Sequence, residues 1–318
     1  MRCILLSALM IAGTVSGEDR LSTSEKGSLL IYSDIDGTGG PGVPLGAADG
    51  FMVISNDWPA DVRLQSYVVN NQNCDVYDMA FTLTANQTAV FSGFELAEPF
   101  EQCGSLSVYV WAVNSENAQI RWNHLSGYSE NGNATAAAAL IGANGETVGI
   151  PGTINLDGVE YASAYAGVTV NFQADFGGMA IELLDKNFAD KTADPANTKI
   201  VAEVWNMDEV KFSGTSRCVS CFESADLSSW SDSAVNFFRG GNLGTDFGKA
   251  RLFSEANGSC GPNSAEHAFH VQSANFPADL GIVGTGTSSA TISYNLESGP
   301  GEAGQVRQKF GSLRNWTP

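Results

Sequence analysis

Three groups of residues in this chain have the types and spacing to do chemistry. Asp34-Ile-Asp36-Gly-Thr38 sets oxygen-bearing side chains at alternate positions ahead of a glycine pair. Oxygens spaced this way converge when the backbone curls around a hard cation such as calcium, which takes about six to eight oxygen ligands. The twelfth position counted from Asp34 is Leu45, so the bidentate acid of an EF-hand is missing. A polar loop between two strands is the plainer reading of Asp34, Asp36 and Thr38. Cys218-Val-Ser-Cys221, with Cys260, His267 and His270, has the ligand types and thiolate gap of a zinc site. In an oxidising compartment the same sulfurs form disulfides, and a bridge from Cys260 to one of the pair is expected. The Cys-x-x-Cys spacing also fits a redox dithiol, but its flanks suggest strand, and such dithiols gain reactivity at a helix N-terminus. Trp58 lies in an Asn-Asp-Trp-Pro turn, where an exposed indole could stack on a sugar ring.

Hydrolytic chemistry finds less support. The chain has three histidines, His124, His267 and His270, and no Gly-x-Ser-x-Gly elbow. His124 falls in Ile-Arg-Trp-Asn-His-Leu, where strand alternation puts it on the face of Trp122 and predicts a packed, hydrogen-bonded ring. Asp and Glu number 35, too many for spacing to single out the carboxylate pair of a glycosidase. Trp111, Trp122 and Trp205 lie in strand-like runs and read as core.

The elements that must hold these residues read as strands. Met1 to Gly17 has the short basic start, compact apolar stretch and small residues of a cleaved signal peptide. Export implies oxidised cysteines. After the signal there are five: Cys74, Cys103, Cys218, Cys221 and Cys260. Cys74 and Cys103 are expected to bridge each other, with the other three in a separate cluster and one sulfur left over. Compact apolar runs recur at Ser28–Ser33, Phe51–Ser55, Val62–Asn70, Met79–Thr84, Leu106–Val113, Gln119–His124, Thr169–Ala174, Lys249–Phe253 and Ala290–Asn295, with Gly, Pro, Asn and Asp between them. Asp34 to Gly50 reads as loop, and Ala225–Trp230 as a short helix. Strands at this spacing predict a sandwich or barrel.

One phrase occurs twice. Phe51–Asn56, a turn and Asp61–Tyr67 match Ile200–Asn206, a turn and Glu209–Phe212, each followed by a cysteine. Both read as hairpins, and the pair suggests two domains of one design. The expected boundaries are 18–155 and 156–296, with a tail over 297–318. The fold class is therefore all-β, two antiparallel β-sandwiches after a signal peptide.

Charge narrows the partners. The formal net charge is −19, which repels phosphate backbones and anionic lipid, so nucleic acid is disfavoured. No later segment reaches the ~20 apolar residues of a membrane-spanning helix.

Ile54 to Asn70, with Phe81-Thr-Leu-Thr-Ala-Asn-Gln87, resembles an immunoglobulin-like sandwich of bacterial secreted and surface proteins. Lys26-Gly-Ser-Leu-Leu, Ile120–Leu125, Leu156–Tyr161, Trp205–Gly214, Cys218–Cys221 and Gly248–Arg251 resemble an uncharacterised family of exported bacterial proteins. The resemblance implies two immunoglobulin-like domains and brings no catalytic residue with it. The expected function is a secreted or surface-exposed structural, adhesive or self-assembling protein, with self-association or an extracellular glycan or matrix as partner. The alternatives are a carbohydrate- or calcium-binding module acting through Trp58 or through Asp34, Asp36 and Thr38, and a carboxylate-dependent glycan-degrading enzyme.

Overall fold

The computed structural model describes residues 26–39, 50–100, 104–130, 132–139, 153–163, 168–184, 186–189, 197–261, 264–265, 269–273, 282–284 and 292–294. The signal, the tail, Cys103 and His267 lie outside them.

The first half contains β1 (Leu29–Asp36), β2 (Phe51–Asn56), β3 (Val62–Asn70), β4 (Val76–Leu83), β5 (Thr88–Ser92), β6 (Ser105–Val113), β7 (Leu125–Ser129), β8 (Gly132–Asn133) and β9 (Thr135–Ala137). A hairpin follows, β10 (Thr153–Leu156) and β11 (Val159–Ser163). The second half contains β12 (Val168–Gln173), β13 (Gly178–Leu183), β14 (Asn197–Asn206), β15 (Lys211–Ser220), β16 (Phe222–Asp226), β17 (Phe247–Glu255), β18 (Phe269–Ser273), β19 (Ile282–Gly284) and β20 (Ile292–Tyr294). Short helices α1 (Gly93–Ala97) and α2 (Gly240–Leu243) precede β6 and β17.

Both halves repeat one strand order. In the first, the sheets run β4-β3-β6-β1-β9 and β5-β2-β7-β8. In the second they run β15-β14-β17-β12-β20 and β16-β13-β18-β19. Strand for strand, β12 to β20 retrace β1 to β9. The last strand breaks the match in direction, since β9 pairs antiparallel with β1 and β20 pairs parallel with β12.

This order corrects the reading of the repeated phrase. Its second copy is a true hairpin, β14 on β15. Its first copy is a corner, because β2 pairs with β5 and β7 while β3 pairs with β4 and β6. The local chemistry is shared even so. Asn56 Oδ1 accepts from Trp58 N, and Asn206 Oδ1 accepts from Asp208 N and Val210 N. Asparagine closes the same small turn in both places. What differs is the length beyond it: residues 57–61, with Pro59, carry the chain across to the other sheet, while 207–210 return it along the same one. The counterpart of β14 is β3, so the phrase aligns the halves one strand out of phase.

Burial follows the period-two alternation of strands. Leu30, Tyr32, Met52, Ile54, Leu64, Val108, Val110 and Leu125 fill a core between the two sheets of the first half. Phe172, Ile181, Ile200, Val204, Leu252 and Phe269 do the same in the second. A third core lies on the opposite face of the first five-stranded sheet. There Leu29, Ile31, Tyr109, Trp111 and Val113 meet Ile154, Leu156 and Tyr161 of the hairpin and Leu184 and Phe188 of the second half. This explains why residues 108–113 read as one unbroken apolar run: β6 is buried on both faces. Each buried aliphatic side chain contributes about 1.5–3 kcal/mol. The aliphatic members of this third core therefore outweigh the weak polar contacts typical of mobile domain pairs. The β10–β11 hairpin turns at Asp157-Gly158 and spans the expected boundary at 155/156.

Four local expectations are corrected. Asp34 to Asp36 belong to β1, which continues past Ser33 through a register shift between Tyr32 and Ile35. Gln119–His124 makes a bridge at Gln119 and then leaves the sheet, because Trp122 N donates to Ser28 Oγ instead of to a strand. Ala225 and Asp226 complete β16, and only Leu227–Ser229 form a 3₁₀ turn. Trp205 is not core: Ala202 and Val204 alternate inward, and Trp205 lies outward between Lys211 and Lys249, each 5.3 Å from its ring.

Candidate functional site

Two assemblies gather the polar and aromatic residues. The first sits where the halves meet. β13 is buried along its whole length, yet it carries Glu182, 1% exposed. Glu182 accepts from Tyr109 Oη of β6 and from Ser33 Oγ of β1, both at 2.5 Å. Lys186 Nζ lies 3.9 Å from the same carboxylate and 5.0 Å from the Tyr109 ring centroid. A buried charge is tolerated only when paired and hydrogen-bonded, and Glu182 is both. Burial pushes the Lys186 ammonium below its ordinary range, and Glu182 offsets part of that. Phe188 walls the cluster, stacked on Tyr67 at 4.5 Å.

A disulfide closes one side of this cluster. Cys74, in the β3–β4 turn, joins Cys221, at the β15–β16 corner, with Cα atoms 6.2 Å apart. The Cys74–Cys103 bridge expected from chain order is thereby corrected: Cys74 pairs across 147 residues with the other half. Sequence proximity favoured the nearer sulfur, but the third core brings the β3–β4 turn against the β15–β16 corner. Cys260 closes on Cys218, one of the two partners expected for it. Lys186 Nζ donates toward Cys221 Sγ at 3.8 Å. No sequence signal marked Glu182 or Lys186, because Met-Ala-Ile-Glu-Leu-Leu reads as an ordinary strand.

The second assembly is at the corner between β2 and β3. Asn56, 1% exposed, uses its whole amide. Its Nδ2 donates to Ala60 O and Thr84 O, and its Oδ1 accepts from Trp58 N and Trp122 Nε1. This fixes Trp58, which is 44% exposed as its place in the turn suggested. One face of the indole rests on His124, ring centroids 4.1 Å apart. His124 Nδ1 lies 3.3 Å from Asp57 Oδ1, and Lys26 pairs with the other Asp57 oxygen. The structure thus brings together Trp58 and His124, 66 residues apart in sequence, with a carboxylate and an ammonium at the rim. His124 is half-buried and edge-on to Trp122, 5.8 Å between centroids.

Asp34, Asp36 and Thr38 each have hydrogen-bond partners within the fold. Asp34, with φ 57°, accepts from Ser105 Oγ, and burial pushes its carboxyl up. Asp36 Oδ1 accepts from Thr38 N and Thr38 Oγ1 at 2.8 and 2.7 Å, a self-contained turn. Among the described residues no three His, Cys, Asp or Glu side chains gather as a metal site requires. His270 is in β18, opposite Glu182 in backbone register.

Comparison with protein-family models, curated proteins and solved structures finds no match to this chain.

Proposed function

We propose that this is a secreted or surface-exposed, non-catalytic structural or adhesive protein, built from two immunoglobulin-like sandwiches held as one rigid unit. The observation that carries this reading is the disulfide Cys74–Cys221 between the halves, set beside a shared apolar core and the Glu182 cluster. Disulfides of this kind persist where proteins are exported, and two sandwiches cross-linked to each other suit a role in a surface layer or matrix. Self-association has a suitable surface. β5 is an edge strand of five uncharged residues, with Val90 50% exposed, and unpaired edges recruit other chains.

Light scattering and negative-stain microscopy on the oxidised mature chain test the reading. Concentration-dependent assemblies that are lost in Val90→Lys support it. A monodisperse monomer that also fails to adhere to matrix-coated surfaces removes it.

A second reading rests on Trp58. Its indole is held by Asn56 and backed by His124, with Asp57 and Lys26 beside it to exchange hydrogen bonds with hydroxyls. That arrangement suits the apolar face of a pyranose ring in an extracellular glycan. Retention on a glycan array, lost in Trp58→Ala, supports it. Absence of retention by the wild-type chain rejects it.

A further inference from the structure

The two disulfides have different surroundings. Among the described residues, eight other than glycine have positive φ, and five of these are Asn or Asp, which tolerate that conformation. Cys74 at 64° and Cys221 at 61° are two of the remaining three. Both halves of one cross-link thus hold a backbone that an ordinary side chain disfavours. Cys218 and Cys260 do not.

The sulfurs differ also. Cys221 is 3% exposed and faces the Lys186 ammonium at 3.8 Å. Cys74 is half-buried, on a turn whose neighbours Asn73 and Asp75 are exposed. At the second disulfide, the Asp232 carboxylate accepts from Cys218 N at 2.8 Å, and no ammonium contact to either sulfur is seen among the described residues. An ammonium beside a sulfur favours its thiolate, and a carboxylate opposes it. Disulfide exchange is fastest when the attacked sulfur is accessible and the leaving sulfur is stabilised as thiolate.

We propose that Cys74–Cys221 is a thiol–disulfide exchange site whose co-reactant is a protein dithiol, with Cys74 the sulfur attacked and Cys221 the sulfur released. A thiolate of the dithiol attacks Cys74 Sγ in line with the S–S bond. A mixed disulfide forms, the Cys74–Cys221 bond breaks, and its electron pair leaves on Cys221 beside Lys186. The second thiol of the dithiol, deprotonated, attacks its own partner's sulfur and releases Cys74. The dithiol is oxidised to a disulfide, the cysteine pair is reduced, and two protons pass from the former to the latter through solvent. Opening the bridge frees both backbones from the left-handed region, while the shared core and Glu182 still join the halves. The mixed disulfide is itself a point of covalent attachment at Cys74. None of this depends on an adhesive role.

The test uses the full oxidised chain. It is exposed to a limiting thioredoxin-type dithiol protein, quenched with an alkylating agent at intervals, and mapped by peptide mass spectrometry. Cys74 and Cys221 are labelled before Cys218 and Cys260. Lys186→Met slows that opening about tenfold and Lys186→Arg restores it. Should Lys186→Met fail to fold, a dithiol protein lacking its second cysteine gives an independent readout on the wild type, trapping a mixed disulfide at Cys74. Opening of Cys218–Cys260 first or at the same rate, an unchanged rate in folded Lys186→Met, or trapping at Cys221 each overturn the assignment.

Discussion

Tyr109 of the first half donates its hydroxyl to Glu182 of the second at 2.5 Å, across 73 residues of chain. This bond makes the boundary between the halves polar at its centre and apolar around it. Tyr109→Phe keeps the ring in the third core and leaves Glu182 with Ser33 and Lys186. The expected cost is about 1–3 kcal/mol, the range for a buried group that loses one partner. Glu182→Ala strands Lys186 as well and is expected to cost about 3–5 kcal/mol. Urea unfolding of both variants checks the ranking. Equal costs, or no cost for Tyr109→Phe, contradict it.

Lys186 gives the protein a defined response to pH. Burial lowers its folded-state pKa from the ordinary 10.5, so the unfolded chain holds that proton over a range where the folded chain has lost it. Stability from this group therefore rises with pH between the lowered value and 10.5, and its penalty is fully present below that window. Buried Tyr32 and Tyr161, whose phenols are pushed up, act in the opposite sense above pH 10.0. Unfolding free energy measured as pH rises toward 10.0 is expected to climb more steeply in the wild type than in Lys186→Met. Parallel slopes contradict the assignment.

Asn56 and Asn206 test how far one turn chemistry depends on burial. The Asn56 side-chain amide makes four hydrogen bonds at 1% exposure. Asn56→Ala strands two donors and two acceptors and is expected to cost more than about 2 kcal/mol. Asn206 is half-buried, and water replaces its partners, so Asn206→Ala is expected to cost about 1 kcal/mol. Thermal unfolding of the two variants compares them.

The β10–β11 hairpin depends on Gly158. Asp157 and Gly158 have φ of 53° and 81°, the pair that a tight two-residue hairpin turn requires. A Cβ at Gly158 meets no atom within 4 Å, so a substitution there feels the backbone alone. Gly158→Ala is expected to cost about 1–2 kcal/mol, and Gly158→Asn less. Chemical denaturation of both variants separates conformational from steric cost.

Much of the fold is legible in local patterns. Val62–Gln65 alternates, Val62–Asn70 forms β3 with those bounds, and the Leu106–Val113 run is nearly the whole of β6. The exposed Trp58 follows from its turn. What local patterns could not carry is pairing at a distance. Phe51–Tyr67 and Ile200–Phe212 look alike because asparagine closes a turn in each, but only the number of residues past that turn decides between hairpin and corner. Glu182 sits in an apolar strand, and its partners lie 73 and 149 residues away. Cys74 had a nearer sulfur in sequence than the one it joins in space.

That last pairing has a consequence for biogenesis. In a polypeptide made from its amino end, Cys74 is followed by Cys103 long before Cys221 has been synthesised. Oxidation in order of appearance would join Cys74 to Cys103 and not to Cys221. Under oxidising conditions, reaching the Cys74–Cys221 pairing then requires late oxidation or reshuffling, and the yield of native molecules becomes a matter of timing as much as of stability.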